Sequence, residues 1–288
     1  MTTDDSQIRH PQEQSRRIIL FCDLRDSTEI MLNYEHRRYQ PDPDDRPRIT
    51  NYSEFLFDFH KTSFEHLYLD HQRTHTEIYG DGLMAIFPED NTRYILENVY
   101  ELTARMRHYN ITENVGISKP AIDMGFGLTV GDVSFSFFHL DQRYHPIGTS
   151  IHEAARIEAL SRYYDARVLI SEHFYSEAKQ WIERDPRFRC RFIDRVRLKG
   201  FRGPISIYEL FMDNDPRFKA KEKSIPLFKE AYQLYCDQKW APAKDLFIRI
   251  YLELGLGIGD VMSKRCDLLY QEPPVKDEWD GVWKMKNK

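Results

Sequence analysis

Apolar and polar positions change period several times along the chain. "RRIILFCD" (residues 16–23) is a β-branched and aromatic run with a charged entry, the pattern of a strand. "NYSEFLFDFHKTSFEHLYLDHQ" (51–72) sets Phe55, Phe59, Leu67 and Leu69 among polar residues and predicts an amphipathic helix. "THTEIYGDGLMAIFP" (74–88) reads as strand, Gly-Asp-Gly turn and strand. "NTRYILENVYELTARMRHYN" (91–110) is a helix with Asn91 or Thr92 as its cap. "AIDMGFGLTVGDVSFSFF" (121–138) alternates and carries a second Gly-Asp step, which predicts another hairpin. "GTSIHEAARIEALSRYY" (148–164) is a helix capped by Thr149 or Ser150, with Glu153 three positions after Ser150. "ARVLIS" is a strand and "EHFYSEAKQWIER" a helix, and "RFIDRVRLKG" and "PISIYELF" form a last hairpin.

That order predicts an α+β fold: a ferredoxin-like βαββαβ core with extra hairpins and helices on one face of the sheet. Residues 1–15 read as a disordered lead, and "RRYQPDPDDRPRIT" (37–50), with three prolines, as a loop. The main domain spans 16–213. "MDNDPRFKAKEKS" (212–224) reads as a polar linker into a helical region, 214–288. From Ile225 to Tyr270 the pattern predicts two or three amphipathic helices, one pair of which resembles a tetratricopeptide-type unit. A single pair is too short for a solenoid, so it is expected to dock on the core or on a protein partner. "LGLGIGD" (254–260) fits a helix-to-helix turn better than a dinucleotide loop. Trp279 and Trp283 predict a tail tied down by packing.

Composition narrows the function classes. The 288 residues carry a formal net charge of −5, which disfavours wholesale binding of nucleic-acid backbones. The four cysteines are far apart with no CxxC pair, so neither a zinc site nor a disulfide framework is indicated, and a cytoplasmic setting is the simplest. No run approaches the roughly 20 apolar residues of a membrane span, and the first residues lack an apolar signal core.

The chemistry concentrates in two acidic turns. Asp23 ends the first strand and Asp81 sits in the "YGDG" turn. In a ferredoxin-like core these are neighbours, and two converging carboxylates repel unless divalent cations sit between them. Oxygen-only ligands favour Mg²⁺ or Mn²⁺ over zinc. The "LRDST" turn after Asp23 opens a helix whose first N–H groups suit a phosphate. Taken singly these are ordinary features: a strand-end aspartate is usually a turn residue, Arg156 in "HEAARIEAL" a solvated helix residue, Lys199 a strand end. "HEAAR" is not a zinc HExxH, and His71 and His75, four apart, read as a solvated helix end. The aromatic stripe Phe55, Phe57, Phe59 and Phe64 reads as core or dimer seam.

Five segments, in order across about residues 16–211, resemble the class III nucleotidyl cyclases: "LFCDLRDST", "TEIYGDGLMAIF", "GFGLTVGDV", "YHPIGTSIHEAARIEAL" and "LKGFRGPISIYEL". The resemblance implies that Asp23 and Asp81, with the Leu24 carbonyl, bind two divalent cations, Mn²⁺ or Mg²⁺. It implies that Arg156 stabilises the phosphorus as charge develops, that Lys199 contacts the triphosphate (Arg197 and Arg202 are near enough to share this), and that backbone amides of Ser27 and Thr28 touch the distal phosphates. The reaction implied is attack of the ribose 3′-hydroxyl on its own α-phosphate with release of pyrophosphate. The family's site lies between two catalytic domains, so a single-domain chain is expected to act as a homodimer with two sites.

The match breaks at the base. Glu77 stands where adenylate cyclases have lysine and is the guanylate-cyclase choice; His145 stands at the partner position; His152 replaces the ribose-orienting asparagine; Ser27 replaces a phenylalanine. Swapping a donor for an acceptor at a base edge discriminates strongly, because the wrong base leaves buried groups unpaired. The reading preferred is a pyrimidine cyclase, uridylate ahead of cytidylate, resembling in build the stand-alone cyclases of the bacterial Pycsar antiphage systems. Alternatives are a guanylate cyclase, from Glu77, and a catalytically inactive nucleotide-binding dimerisation module. A palm-type polymerase also uses two aspartates, but the "HEAAR" and "LKG" segments argue against it.

Overall fold

The computed structural model describes residues 14–36, 51–112 apart from 68–73, 120–275 and 278–285. The predicted loop at 37–50 and the lead at 1–13 lie outside the described residues; Ser15 already belongs to the first strand. The elements run β1 (Ser15–Leu24), α1 (Ser27–Glu35), α2 (Tyr52–Leu67), β2 (His75–Tyr79), β3 (Gly82–Pro88), α3 (Thr92–Thr112), β4 (Met124–Phe138), β5 (Arg143–Ile147) and α4 (Thr149–Tyr163). They continue with β6 (Val168–Ser171), α5 (Glu172–Arg184), β7 (Phe188–Arg197), β8 (Ile205–Met212), α6 (Phe218–Cys236), α7 (Trp240–Leu254), α8 (Gly257–Gln271) and β9 (Trp283–Lys284). The strands form a mixed sheet in the order β2-β3-β1-β4-β6-β8-β7-β9, with β5 paired to β4. Among the described residues no helix is long and apolar enough to cross a membrane, and all four cysteines are free.

The α+β expectation holds, but helices cover both faces of the sheet rather than one. Ile18, Leu20 and Cys22 of β1, with Leu83, Phe87, Phe126 and Leu128, pack under α2, α3 and α5. Ile19, Met84 and Ile86 face the other way, onto Ala154 of α4. The unbroken run "IIL" is the reason: β1 lacks an alternating polar face, so both sides need cover. Phe55 and Phe59 of α2 are buried and Phe57 is exposed, so the aromatic stripe is core on one side only; the Phe64 side chain lies outside the description.

Three local expectations are corrected. The Gly131-Asp132 step is no turn; β4 runs through it, and the hairpin to β5 turns instead near Gln142, which has φ 58°. Gly131 is needed for proximity: a Cβ there would lie 2.6 Å from the Ser150 Cβ. Neither Thr149 nor Ser150 caps α4. Gly148 precedes the helix with no side-chain cap, and the Ser150 hydroxyl donates to the Asp132 carbonyl at 2.8 Å. His75 is in β2, not at a helix end.

The stretch read as a linker is mostly α6, which starts at Phe218 and is docked. Lys221 is buried and bridges Glu209 of β8 (2.7 Å) and Asp215 (2.6 Å), while Arg191 bonds the other Glu209 oxygen at 2.5 Å and donates to Ser224 at 2.6 Å. Burial alone would raise the Glu209 carboxyl, but Lys221 and then Arg191 outweigh it and hold it below its ordinary range. The helical region also grips the end of α4. Arg265 of α8 bonds Asp194 and donates to the Tyr164 hydroxyl at 2.7 Å, its guanidinium stacked 4.5 Å over Trp283. Asp165 accepts from the Gly257 N–H at 3.0 Å and from Arg217 at 2.5 Å. Trp279 packs against Trp240 and its indole donates to the Cys236 carbonyl, so the tail is tied down as expected.

Removing one partner from a buried ionic cluster leaves charge uncompensated, which costs about 3–5 kcal/mol. Lys221→Met is therefore expected to lower unfolding free energy in urea by about that amount. A loss under about 1 kcal/mol would mean that the cluster does not hold α6 to the sheet.

Candidate functional site

The end of β1 and the β2–β3 turn meet because β1 pairs β3 antiparallel with Asp23 opposite Gly82. Gly80 takes φ 65°, the left-handed region that favours glycine, and so turns the chain at Asp81. The buried imidazole of His60 on α2 pins this turn, its Nε2 donating to the Gly80 carbonyl at 2.6 Å. A Cβ on Gly82 would lie 3.1 Å from the Asp23 Oδ1, so glycine leaves room for the carboxylate. The Asp23 and Asp81 carboxyls are within hydrogen-bonding reach of each other. Burial first, then the Asp81 charge, pushes Asp23 up to about 6; the Leu24 N–H and Arg162 pull it the other way.

A further carboxylate, not singled out from the sequence, faces Asp23 from α4. Glu158 is pushed up to about 7, by burial and then by Asp23, against Arg25 and Arg162. It gets there because α4 crosses β4 at glycines. A Cβ at Gly127 would lie 2.3 Å from the Glu158 backbone nitrogen, and one at Gly125 would lie 2.4 Å from its Oε1. Alternate glycines in "GFG", on the face of β4 that pairs with Phe21 and Asp23, were the available signal. Among the described residues no group of three or more His, Cys, Asp or Glu side chains forms a ready-made metal cage.

Ser27 and Thr28 open α1, and Leu24 closes β1. Asp26 precedes the helix at φ 57°, unusual for a non-glycine residue, and its carboxylate bonds Arg162 at 2.7 Å instead of capping. The Ser27 side chain is bonded to the phenol of Tyr52 on α2, whose pKa is raised by burial and by the nearby Asp81 and Asp23 charges. Tyr52 is a second residue that sequence reasoning missed. No spacing rule along the chain connects it to the turn.

Glu77 and His145 come together although one is on β2 and the other on β5: His145 Nδ1 is 3.7 Å from Glu77 Oε1. His145 is held by Asp141 through Nε2 at 2.5 Å. His75 donates to Glu77 Oε1 at 2.8 Å, and the Tyr79 phenol donates to Oε2. His152 and Arg156 are four apart on α4 and share a helix face. Neither makes a hydrogen bond or ion pair among the described residues, so one copy of the chain does not join them to Asp23, Asp81 or Glu77. Lys199 and Arg202, in the β7–β8 connection, are exposed and likewise unbonded among the described residues; Arg197 lies within β7 with its Nε buried and unpaired.

No protein-family model matches the chain. It is 26% identical over 160 residues to the terminal-differentiation specific adenylate cyclase of Dictyostelium discoideum, covering 54% of this chain and 7% of that one. It is 29% identical over 137 residues to an adenylate cyclase of Anabaena cylindrica, covering 46% of this chain and 26% of that one. The chain thus spans a minor part of the length of these relatives. Among solved structures it resembles the adenylyl cyclase CyaB from P. aeruginosa (TM-score 0.53, 20% identity, 69% of this chain and 94% of that one). It also resembles a bacterial light-regulated adenylyl cyclase (TM-score 0.52, 14% identity, 69% and 52%). At these identities the likeness establishes the fold, that of a class III cyclase catalytic domain.

The raised Asp23 carboxyl has a consequence for stability. A carboxyl whose folded pKa exceeds its unfolded one favours folding below the unfolded value, and that contribution is lost as pH rises through the folded value. In chelator-treated buffer, Asp23→Asn should raise the thermal midpoint at pH 8 and change it little at pH 4. Mn²⁺ should then raise the wild-type midpoint at pH 8 and leave that of the variant unchanged. A variant less stable than wild type at pH 8 without metal would contradict the crowding of these carboxyls.

Proposed function

We propose that this chain is a nucleotidyl cyclase that converts a ribonucleoside triphosphate to its 3′,5′-cyclic monophosphate and pyrophosphate. The observation that carries the reading is the meeting of Asp23 and Asp81 at one end of the sheet, on a fold shared with cyclase domains. The residues fit divalent cations: the two carboxylates are acceptor-only when ionised, and each crowds the other's charge. Asp23, Asp81 and the Leu24 carbonyl would hold two such ions, Mn²⁺ or Mg²⁺. When bound, these ions neutralise triphosphate charge and lower the pKa of the attacking hydroxyl.

The chain's own groups supply the rest. The first N–H groups of α1, at Ser27 and Thr28, receive the distal phosphates. The ribose 3′-hydroxyl gives its proton to solvent water, its oxygen bonds the α-phosphorus, and the bond to the β-phosphate oxygen breaks, so that pyrophosphate leaves with the electron pair. We read Arg156 as the cation that meets the charge developing at phosphorus, and Lys199, with Arg197 or Arg202, as a triphosphate contact. Support for Arg156 is that its guanidinium bonds nothing in its own chain among the described residues. Support for a homodimer is that Arg156 and His152 are unconnected to the acidic groups within one copy; a two-fold pairing would complete two equivalent sites.

The substrate we assign is a pyrimidine nucleotide, UTP ahead of CTP. Glu77 is crowded by His75, Tyr79 and His145, which favours a small base. A carboxylate acceptor beside the His145 imidazole complements uracil, whose single N–H lies between two carbonyls: Glu77 accepts from the N–H and the imidazole donates to a carbonyl. The reading carries with it a cyclic pyrimidine nucleotide as second messenger in antiviral signalling. The C-terminal helices, docked on the sheet and on the end of α4, are the place for a protein partner to act.

The test is to incubate the purified protein with each of ATP, GTP, CTP and UTP plus Mn²⁺ and to separate the products. Cyclic UMP, with less cyclic CMP, is expected. Cyclic GMP alone would favour the guanylate reading, which Glu77 also suits, and no product would favour an inactive nucleotide-binding module. Asp23→Ala or Asp81→Ala should abolish turnover in a folded protein. Arg156→Ala should lower kcat about 10²–10³-fold with KM nearly unchanged; lost binding with kcat kept would contradict its role.

A further inference from the structure

The bonding of Glu77 goes further than base contact alone. On the edge strand β2, His75, Glu77 and Tyr79 alternate and so share one face, the face that carries Asp23 on β1. Each Glu77 oxygen is engaged by a donor from its own strand: Oε1 by the His75 imidazole at 2.8 Å and Oε2 by the Tyr79 phenol. Both donors are braced. The His75 ring packs edge-on against Phe135 of β4 (centroids 5.3 Å apart), and the Tyr79 ring stacks on Phe21 of β1 (6.3 Å). Among the described residues no lysine or arginine pairs with Glu77.

A partly exposed pair of this kind contributes little to stability. What the arrangement does is fix a carboxylate's rotamer while leaving its acceptor capacity open. An ionised carboxylate has about four lone-pair sites, and two bonds leave it able to accept again. The Nδ1 of His145 faces the same oxygen from 3.7 Å, beyond hydrogen-bonding range.

We propose that His75 is a positioning residue for nucleobase selection: it holds Glu77 so that a free acceptor site faces the N–H edge of the base. The inference rests on Glu77 being the base contact. His75 does not touch the base; it acts through Glu77, and without it the carboxylate swings among rotamers and accepts from more than one base edge.

The experiment separates the two claims. Non-cleavable α,β-methylene analogues of UTP, CTP, GTP and ATP are titrated calorimetrically, with Mn²⁺, into the wild-type protein and into His75→Phe, His75→Gln and Glu77→Gln. Phenylalanine keeps the packing on Phe135 and removes the donor; glutamine returns an N–H donor. His75→Phe is expected to reduce the ratio of affinities between the preferred and the least-favoured base about ten- to hundredfold. The thermal midpoint should stay near that of wild type, and His75→Gln should restore most of the ratio. An unchanged ratio in His75→Phe alongside a changed one in Glu77→Gln overturns the role of His75 and leaves Glu77 as the base contact. An unchanged ratio in Glu77→Gln overturns both. If His75→Phe does not fold, a His75→Gln ratio as low as that of Glu77→Gln overturns the proposal, and one near wild type supports it.

Discussion

Two like-charged side chains brought together at the end of a sheet are the constraint around which this fold is organised. The Asp81 charge works against ionisation of Asp23, and burial of Asp23 adds to that cost. Nothing local in either segment would keep them together. The antiparallel pairing of β1 with β3 supplies the juxtaposition, the left-handed Gly80 makes the turn, Gly82 leaves space, and His60 bonds the turn's carbonyl from a helix on the opposite face. Strain of this kind persists only where the surroundings over-determine it, and sites that bind or transform ligands are where it collects.

The same economy of space governs α4. Its axis comes close to β4 because Gly125 and Gly127 offer bare backbone, and this brings Glu158 against Asp23 and presents His152 and Arg156 along another face. The far end of α4 is held by the C-terminal helices through Tyr164, Asp165 and Arg265. A shift of α6–α8 relative to the sheet therefore bears directly on the helix that carries the arginine of the proposed mechanism. Buried charge at Glu209, Lys221 and Arg191 pins that attachment, since loss of any one partner would leave charge uncompensated in the interior.

At the other end of the site, the acceptor is held by ring donors from its own strand. Glu77 is bonded by imidazole and phenol, with a second imidazole nearby, instead of by a lysine or arginine. Such an arrangement orients an acceptor without spending its charge, which suits the proposed reading of a base N–H edge. Both the phosphate end and the base end lie on the sheet face that α4 covers, so one helix borders the whole candidate site.

The sequence by itself determined the elements and the chemical types. Strand and helix periods in "RRIILFCD", "THTEIYGDGLMAIFP" and "GTSIHEAARIEALSRYY" are local properties, and the two acidic turns were visible because turn chemistry is local too. Hydrophobic period was misleading where a residue's role is proximity: Gly131 reads as a turn but is a gap for Ser150, and Lys221 reads as linker polarity but is a buried counter-ion. Helices on both faces were legible in the unbroken "IIL" run, had it been weighed against alternation. Only the tertiary structure decided which distant groups meet: Glu158 with Asp23, Tyr52 with Ser27, His60 with Gly80, His145 with Glu77. Those pairings depend on strand register and on how closely a helix approaches a sheet, and both are settled by packing between segments that no spacing along the chain records.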